Sequence, residues 1–431
     1  MKKYNLVSLL LLIVACTGSK PDNQQGFDQN SGIIIHPFTS AVMNGYPPSM
    51  ENLVTLENWD SAPYNRWAYQ HFRELVPTQN VSKGFGPVNY LERQPVNLDT
   101  LSFKDSNDEE ITIKEMLEKT FTDGFIVLKD GKILTEQYFT GMQPSSLHLL
   151  QSASKSLTLS LLAIFLGDGK ISQSGKVYEY VPELRNSGYF DAEVSHLMDM
   201  LSGVSYSFDF SDPQSELNRH MRSYLWKPRN SADKGHRDFL MSLKKERDHG
   251  ERFSYKDSET EVLTWIMEKR MNRSFPQLFS EVLWSKLGVE NDAFISCDGL
   301  GSPVSCGGFN IALRDFARIG QLYLSGGKLG NNQIIPTVFI NDILKSADST
   351  KFAKGAWANY FPKGTAYNNG FWIPGGHDGA FMAAGYQGQY LYIHPKFNVV
   401  IAKFSTYPEG DDSYLRNTDW KGFFAICQAV K

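Results

Sequence analysis

The pattern Ser-x-x-Lys is the feature of this sequence best suited to chemistry. A lysine one helical turn after a serine lies on the same helix face and can take the serine's proton, provided that its own ammonium is forced to lose one. The pattern begins at Ser152, Ser231, Ser242 and Ser325. Only Ser152 stands directly before an apolar run, residues 157–166, that reads as a buried helix. The N–H groups at the start of that helix favour an oxyanion and disfavour a charged lysine. We therefore predict Ser152 as nucleophile and Lys155 as base.

A tyrosine near the lysine can protonate the leaving group, and two tyrosines compete for this role. Tyr367 has the strict Tyr-x-Asn spacing, but it lies in a Gly/Asn-rich stretch that we interpret as a surface or pocket-rim loop. Tyr255 directly precedes the start of an apolar helix, much as Ser152 does. We favour Tyr255.

Other chemistries lack their motifs. The nine histidines show no metal-binding spacing, and no Gly-x-Ser-x-Gly elbow is present. The formal charge of −4 gives no basic footprint for nucleic acid. We therefore predict no metal, no cofactor and no nucleic-acid partner, and the oligomeric state is left open.

The remaining chain positions this candidate site within an α+β architecture. Hydrophobic residues make up 41% and aromatic residues 13%, which excludes a disordered chain. Residues 125–134 indicate two strands joined by an Asp-Gly turn, and residues 388–405 indicate two more strands at the C-terminal end. Helical, loop-rich sequence fills residues 176–250. Strands near both ends with helices between them favour a central antiparallel sheet flanked by helices, with an all-helical insertion at about 176–250.

Three motifs of the chain, taken in order, resemble those of a known family. Ser152-Ala-Ser-Lys155, the Tyr255 segment and Ala384-Gly-Tyr-Gln-Gly-Gln389 follow the order of the three motifs of serine β-lactamase-like, penicillin-recognising hydrolases. The chain resembles the class C branch, and within it the 6-aminohexanoate-dimer hydrolase and carboxylesterase group. Further stretches similar to that group are Asn58-Trp59, residues 62–67, residues 198–204 and residues 307–320. The resemblance covers about residues 50–430 and implies a β-lactamase/transpeptidase-like fold.

The resemblance also implies roles for individual residues. Ser152 would be acylated, Lys155 would be its base, and Tyr255 would relay a proton to the leaving group. The backbone N–H groups of Ser152 and Tyr386 would form the oxyanion hole. Asp209 lies in a loop that lines the substrate pocket of the relatives, although a turn with solvated acids explains it almost as well.

Two departures from the family pattern bear on the substrate. Asp257 replaces the usual Asn or Ser two positions after the tyrosine, which places a negative charge close to Lys155 and favours its ammonium. The third motif lacks Lys-Thr-Gly, and its nearest formal substitute begins at His377. Without that lysine, a β-lactam or D-alanyl carboxylate loses a principal contact. Asp257 and His377 are nevertheless candidates for substrate binding.

The four cysteines are not equivalent. Cys16 follows a positively charged start and an apolar run, and residues 13–16 match a bacterial lipobox. We expect residues 1–15 to be a lipoprotein signal, Cys16 to carry the lipid, residues 16–45 to form a flexible tether, and residues 46–431 to form the catalytic domain. In that extracytoplasmic compartment, a disulfide between Cys297 and Cys306 is expected to close a short loop. Cys427 is then an unpaired, buried residue of a C-terminal helix.

Two classes of function remain open. The first is a serine hydrolase that forms an acyl-enzyme at Ser152 and acts on a small ester or linear amide, with a cell-wall D-alanyl peptidase as its rival within the enzyme class. The second is a weakly catalytic lipoprotein of the same fold that binds peptidoglycan fragments or another partner. The Ser-Lys-Tyr set favours the enzyme.

The anchor prediction can be tested by one substitution. Because the Cys16 thiol would accept the diacylglyceryl group, Cys16→Ala should abolish labelling with a radioactive or alkyne fatty acid and move the protein out of the membrane fraction. Cys427→Ala is the matched control and should change neither. A lipid-labelled, membrane-bound Cys16→Ala product would refute the anchor.

Overall fold

The computed structural model describes residues 26–28, 33–36, 40–230, 234–410 and 412–431. The predicted signal at residues 1–15 and the lipid attachment residue Cys16 lie outside these ranges. Within them, none of the helices combines the length and apolar character that a membrane crossing requires.

The strands belong to one large sheet, one four-stranded sheet and two short hairpins. They are β1 (Gly26–Asp28), β2 (Ile33–Ile35), β3 (Thr78–Val81), β4 (Ser102–Lys104), β5 (Glu110–Thr112), β6 (Thr122–Lys129), β7 (Lys132–Tyr138), β8 (Leu147–Leu149), β9 (Ala293–Ser296), β10 (Phe309–Ala312), β11 (Lys328–Leu329), β12 (Asn332–Gln333), β13 (Ala366–Asn368), β14 (Phe371–Ile373), β15 (Phe381–Gly385), β16 (Gln389–His394) and β17 (Val399–Ser405).

The α-helices range from single turns to a long C-terminal helix. They are α1 (Asn65–Ala68), α2 (Ile113–Lys119), α3 (Ser154–Gly167), α4 (Val177–Tyr180), α5 (Val194–Met198), α6 (Glu216–Ser223), α7 (His236–Ser242), α8 (Asp257–Met271), α9 (Phe275–Leu278), α10 (Leu313–Leu324), α11 (Thr337–Lys345), α12 (Ser349–Ala353) and α13 (Ser413–Ala429).

The large sheet has the order β1-β2-β7-β6-β17-β16-β15-β14-β13 and is antiparallel except where β2 runs parallel to β7. Alternate residues of its strands enter different hydrophobic clusters. Phe125 and Val127 of β6 pack with residues of α2 and α13, whereas Ile126 and Leu128 pack with residues of α3 and α10. This alternation is the period of a strand that is buried on both faces. The sheet is therefore covered by helices on both sides, as the sequence predicts.

Local features of the predicted elements are also present. The turn between β6 and β7 consists of Asp130 and Gly131, both with positive φ (51° and 78°), which is the backbone of a type I′ hairpin turn. The apolar run forms α3, which is buried along most of its length and ends before Gly169 at φ 65°. Cys427 lies buried in α13.

Two expectations need correction. The predicted tether at 16–45 is not wholly free of structure, because Ile33–Ile35 joins the large sheet beside β7 and His36 stacks on Phe139 at 4.2 Å. Three consecutive β-branched residues favour a strand over a tether. The insertion at 176–250 contains helices of only four to eight residues, α4 to α7, linked by loops, so it is only partly helical.

A buried carboxylate, Asp123, connects helix α1 to the large sheet. It accepts hydrogen bonds from Arg66 Nη1 at 2.6 Å and from the hydroxyls of Thr140 and Thr406 at 2.8 Å each. Burial alone would raise the pKa of Asp123, but Arg66 and the hydrogen bonds of His148 and Thr140 outweigh it and lower the pKa from 3.8 to about 2. Asp123 thus stabilises the folded state in its ionised form.

This depressed pKa predicts how stability depends on pH. The contribution of ionised Asp123 is fully present above its unfolded-state pKa and is lost as pH falls through the folded value. We expect the difference in the free energy of unfolding between wild type and Asp123→Asn to shrink by about 2 kcal/mol from pH 5 to pH 2. Urea titrations measure it, with the exposed Asp108→Asn as control. A difference that stayed constant over this range would contradict the assignment.

Candidate active site

Ser152 lies in a tight turn at the start of the buried helix α3. A 3₁₀ turn spans Gln151–Ala153, and α3 begins at Ser154. Gln151 has a positive φ of 49°, an uncommon backbone conformation for a residue with a side chain. Its Nε2 donates to the hydroxyl of Tyr69 at 2.7 Å, which holds this residue in place. The turn presents Ser152 to a pocket while Ala153 and Ser154 face the core.

Lys155 extends its amine back to Ser152 and meets three oxygen atoms there. Nζ lies 2.9 Å from Ser152 Oγ, 2.7 Å from Asp257 Oδ1 and 2.8 Å from the backbone oxygen of Cys306. Lys155 is 1% exposed, so these three oxygens replace the water that a surface lysine would have. The serine and the lysine are therefore paired as the spacing predicts.

The charge of Lys155 follows the expectation drawn from Asp257, which favours the ammonium over a readily neutralised base. Burial lowers the pKa of Lys155, but the adjacent Asp257 carboxylate outweighs burial and holds the pKa above its ordinary value. Two helix starts meet here, at α3 and at Asp257, the first residue of α8, and their dipoles also oppose the ammonium. The ion pair at 2.7 Å overcomes them. In the resting site Lys155 is thus an ammonium paired with Asp257.

The third partner of Lys155 comes from the loop before β10. The N–H of Cys306 donates to Glu261 Oε1 at 2.7 Å, which attaches this loop to α8. Gly308 follows, and a Cβ there would stand 2.2 Å from Ser296 Oγ, so only glycine allows the loop to pass. The expected disulfide is wrong, because Cys297 and Cys306 are both free, buried thiols. The backbone N–H of Cys297 donates to the backbone oxygen of Pro77 at 2.9 Å.

Tyr255 borders the same pocket from the segment before α8. The Lys155 amine lies 4.9 Å from the centre of its ring, and Trp357 stacks on that ring at 4.7 Å. Burial raises the pKa of Tyr255, and the Lys155 charge offsets this only in part, so the phenol is protonated at neutral pH. Of the two tyrosines considered, Tyr255 is the one beside Ser152 and Lys155.

Tyr367 is neither at the surface nor at the pocket rim. It lies in β13, is 6% exposed, and its hydroxyl has no hydrogen-bond partner within the described structure. The sequence interpretation as a loop is wrong, because residues 366–373 form the β13–β14 hairpin, with Asn369 and Gly370 at positive φ in its turn. The Asn/Gly residues mark this turn, and the aromatic residues around it form the strands.

The end of β15 presses against the Ser152 turn. A Cβ on Gly385 would lie 2.3 Å from the backbone oxygen of Leu150 and 3.1 Å from the nitrogen of Ala153. Tyr386 follows at once, lines the pocket beside Ser152, and stacks its ring on Phe210 at 5.2 Å. This places the residue predicted for the oxyanion hole next to the predicted nucleophile.

Aromatic side chains form most of the pocket wall around Ser152, which encloses about 200 Å³. They come from elements far apart in sequence. The aromatic residues that line it are Trp59, Phe208, Phe210, Tyr224, Trp226, Tyr255, Trp357, Phe361, Trp372, Tyr386, Tyr390 and Trp420. Phe361 and Trp372 stack at 4.7 Å, and Arg416 lies 4.3 Å over Phe361. Such a lining suits the apolar parts of a small substrate.

Two predicted substrate-binding residues lie elsewhere. The carboxylate of Asp209 accepts from the N–H and hydroxyl of Ser211 at 2.8 and 2.7 Å and faces solvent, whereas its neighbours Phe208 and Phe210 line the pocket. His377 lies before β15, at the end remote from Gly385, where it packs on Phe424 at 5.0 Å. Burial, reinforced by His394, lowers the pKa of His377 to about 4.

Sequence reasoning missed several groups of the site. The Cys306 carbonyl has no side-chain signature, and only the glycines that follow it indicate a close backbone approach. Trp59 lies in a stretch that the sequence marks only by its resemblance to the family, and its Nε1 donates to the backbone oxygen of Trp226 at 2.8 Å. Phe208 and Phe210 flank the predicted pocket residue Asp209. Their alternation with this acid is the sequence signal that indicates them.

Comparison with known proteins identifies the family. The β-lactamase family model matches residues 111–421. The chain belongs to the β-lactamase family. A 6-aminohexanoate-dimer hydrolase from Paenarthrobacter ureafaciens is 33% identical over 367 residues, covering 85% of this chain and 91% of that protein. This family member is therefore a hydrolase related to 6-aminohexanoate-dimer hydrolase.

Solved structures agree with this assignment. A structure from Bacillus anthracis, provisionally described as a 6-aminohexanoate-dimer hydrolase, superposes with a TM-score of 0.80 at 29% identity, covering 89% of this chain and 99% of that one. EstCE1, described as a hydrolase with promiscuous acyltransferase activity, gives 0.58 at 13% identity, with 74% and 98% covered, and shares the fold. The β-lactamase/transpeptidase-like fold implied by the sequence motifs is confirmed.

The contact between β15 and the Ser152 turn leads to a prediction. Because a Cβ at Gly385 would stand 2.3 Å from a backbone oxygen, Gly385→Ala must move the strand or the turn. A displacement of about 1 Å is expected to slow the reaction of the protein with a fluorophosphonate about 100-fold. Gly86→Ala is the control, since its nearest atom would be 3.7 Å away. Unchanged labelling in folded Gly385→Ala would show that this contact does not position the site.

Proposed function

We propose that this hydrolase forms an acyl-enzyme at Ser152 and hydrolyses a small ester or linear amide. The observation that carries the proposal is the 2.9 Å approach of Lys155 Nζ to Ser152 Oγ at the wall of an aromatic pocket. A buried amine within hydrogen-bond distance of a serine hydroxyl is the arrangement that an activated nucleophile requires.

Acylation begins when Lys155, in its neutral form, takes the proton of Ser152. The Oγ–H bond breaks, the oxygen attacks the substrate carbonyl carbon, and the carbonyl π electrons move to the oxygen. The backbone N–H groups of Ser152 and Tyr386 would bind this oxyanion. Each such donor contributes about 3 kcal/mol to transition-state stabilisation in enzymes where it has been removed.

Tyr255 would then protonate the leaving group. Its raised pKa supports this role, because a phenol that keeps its proton at neutral pH can donate it. The alcohol or amine leaves with the phenol proton, and the ammonium of Lys155 returns a proton to the phenolate. Water then attacks the acyl-enzyme and the neutral amine of Lys155 accepts its proton. That proton passes to Ser152 Oγ as its bond to the acyl carbon breaks and the acid leaves.

Two considerations support an ester or linear amide over a β-lactam. The relative from Paenarthrobacter ureafaciens is named for an amide, the 6-aminohexanoate dimer. The pocket wall is mainly aromatic, and the His377 segment, the nearest formal substitute for the carboxylate-binding motif, lies at the remote end of β15. A cell-wall D-alanyl peptidase is one outcome of the test below.

We further propose that the enzyme works outside the cytoplasm, attached to a bacterial membrane by a lipid on Cys16. The support is the lipobox sequence, and fatty-acid labelling of the Cys16→Ala protein tests it.

Three substitutions test the mechanism. Ser152→Ala should abolish fluorophosphonate labelling and reduce p-nitrophenyl acetate hydrolysis to background. Tyr255→Phe should keep the fold and lower kcat on a linear amide or an alkyl ester about 100-fold or more, because proton donation to these poor leaving groups is lost. Tyr367→Phe removes a hydroxyl that has no partner in the described structure and should keep wild-type activity.

Other results would redirect the proposal. A kcat that fell in Tyr367→Phe and held in Tyr255→Phe would overturn the choice of tyrosine. Protection of Ser152 from the fluorophosphonate by penicillin, with no turnover of an ester and amide panel, would favour the peptidase. Retained labelling in Ser152→Ala would refute Ser152 as the nucleophile.

A further inference from the structure

Asp257 is one of the two departures from the family pattern that this chain resembles. It stands two residues after Tyr255, where that pattern has Asn or Ser, and it is 7% exposed. The contacts of the preceding residue hold Asp257 in position. The neighbouring Lys256 donates to the backbone oxygens of Ser202 and Ser254 at 3.0 and 2.9 Å and to Glu259 at 3.0 Å. The start of α8, and with it Asp257, is therefore held rigidly against Lys155.

The three oxygens around Lys155 Nζ differ in what they can do. The ionised Asp257 carboxylate and the Cys306 carbonyl can only accept hydrogen bonds, whereas Ser152 Oγ can accept or donate. A neutral amine has two N–H bonds and one lone pair. If Asp257 and Cys306 take the two N–H bonds, the lone pair faces Ser152 and can receive its proton. In the ammonium form the third N–H points at Ser152 instead, and the lysine cannot act as a base.

We propose that Asp257 is a positioning residue that makes Ser152, Lys155 and Asp257 a triad: it aims the lone pair of the neutral amine at Ser152 Oγ, and it restricts fast acylation to alkaline conditions. This inference rests on the proposed function, because it assumes that Ser152 is acylated. In the step itself, the Ser152 O–H bond breaks, the proton forms the third N–H bond of Lys155, and Asp257 stabilises the ammonium that results.

The other titratable groups around Lys155 do not carry the opposing charge. Tyr255 and Cys306 are buried, and burial is the main cause that raises the pKa of each, so both are neutral. His220 approaches from α6, and burial, His236 and Lys155 hold its pKa well below the ordinary value. Glu261 is engaged by Ser305 Oγ at 2.9 Å and by the Cys306 N–H. Within the described ranges, Asp257 is the carboxylate bonded to the amine.

Two variants separate the charge of Asp257 from its geometry. Asp257→Asn removes the charge but keeps an acceptor oxygen, while Asp257→Ala removes both. The measurement is the rate of fluorophosphonate labelling from pH 5.5 to 10, with Ser152→Ala as the blank. An opposite charge in contact changes a pKa by about 1–3 units. The wild-type rate should rise about tenfold per pH unit until Lys155 deprotonates. We call this part of the pH profile the rising limb.

In Asp257→Asn the same rise should lie about 1–3 units lower, so that labelling at pH 7 is at least tenfold faster than in wild type. In Asp257→Ala the rise should also lie lower, but labelling at each pH should be slower than in Asp257→Asn, since nothing then orients the lone pair. Asp419→Asn is the matched control. It breaks another buried lysine–carboxylate pair, Lys403 with Asp419 at 2.8 Å, and should lower thermal stability without moving the limb.

The outcomes are distinct. A limb that stays at the wild-type pH in folded Asp257→Asn, as judged by circular dichroism, refutes the proposal. So does an equal movement in Asp419→Asn. If wild type itself is not labelled at Ser152 at any pH, it is the proposed function that fails. Equal labelling rates at each pH in Asp257→Asn and Asp257→Ala would refute the orienting role while leaving the charge effect.

Discussion

The amine of Lys155 is buried at the point where three separate parts of the chain meet. A charged amine without water is expensive unless every N–H finds an acceptor, and removing one partner of a buried pair costs about 3–5 kcal/mol. The turn at Ser152, the start of α8 at Asp257 and the loop at Cys306 each supply one oxygen. The requirement to satisfy this amine therefore fixes the relative positions of the elements that form the site.

Each of these elements is itself held by buried polar contacts. Gln151 bonds to Tyr69, Lys256 bonds to Ser202 and Ser254, and Cys306 bonds to Glu261. The contacts lie one residue from the groups that face Lys155, or on the same residue in the case of Cys306. Because these hydrogen bonds lie so close to the reacting atoms, they restrict the movement of Ser152 and Lys155. A nucleophile and its base need such restriction to react efficiently. The aromatic pocket wall also keeps water away from one side of the site. The charges there are therefore screened less than they would be in water.

The sequence allowed prediction of the parts that depend on neighbouring residues. The Asp-Gly hairpin, the buried helix after Ser152 and the C-terminal strands follow from local pattern, and the Ser-Lys-Tyr set follows from spacing and family motifs. The parts that were predicted wrongly need more than the local pattern. The Asn/Gly turn beside Tyr367 resembles a loop in sequence, and only the pairing of β13 with β14 shows that it closes a hairpin. Asp209 is a candidate because of the loop in which it lies, yet its aromatic neighbours are the residues that line the pocket. The disulfide expectation rests on an oxidising compartment and a short loop, and neither reveals that the two thiols stay unpaired in the fold.

Asp257 shows why a motif does not by itself determine the chemistry of a site. Two residues after Tyr255, Asn or Ser would also present an oxygen toward the lysine amine. Only Asp adds a charge, and in a buried site one charge at 2.7 Å is enough to reverse the effect of burial and of two helix dipoles on Lys155. The fold tolerates this exchange because the ion pair satisfies both partners. The same backbone geometry can therefore hold a lysine that is ready as a base or one that must first lose a proton, and a single side chain selects between them.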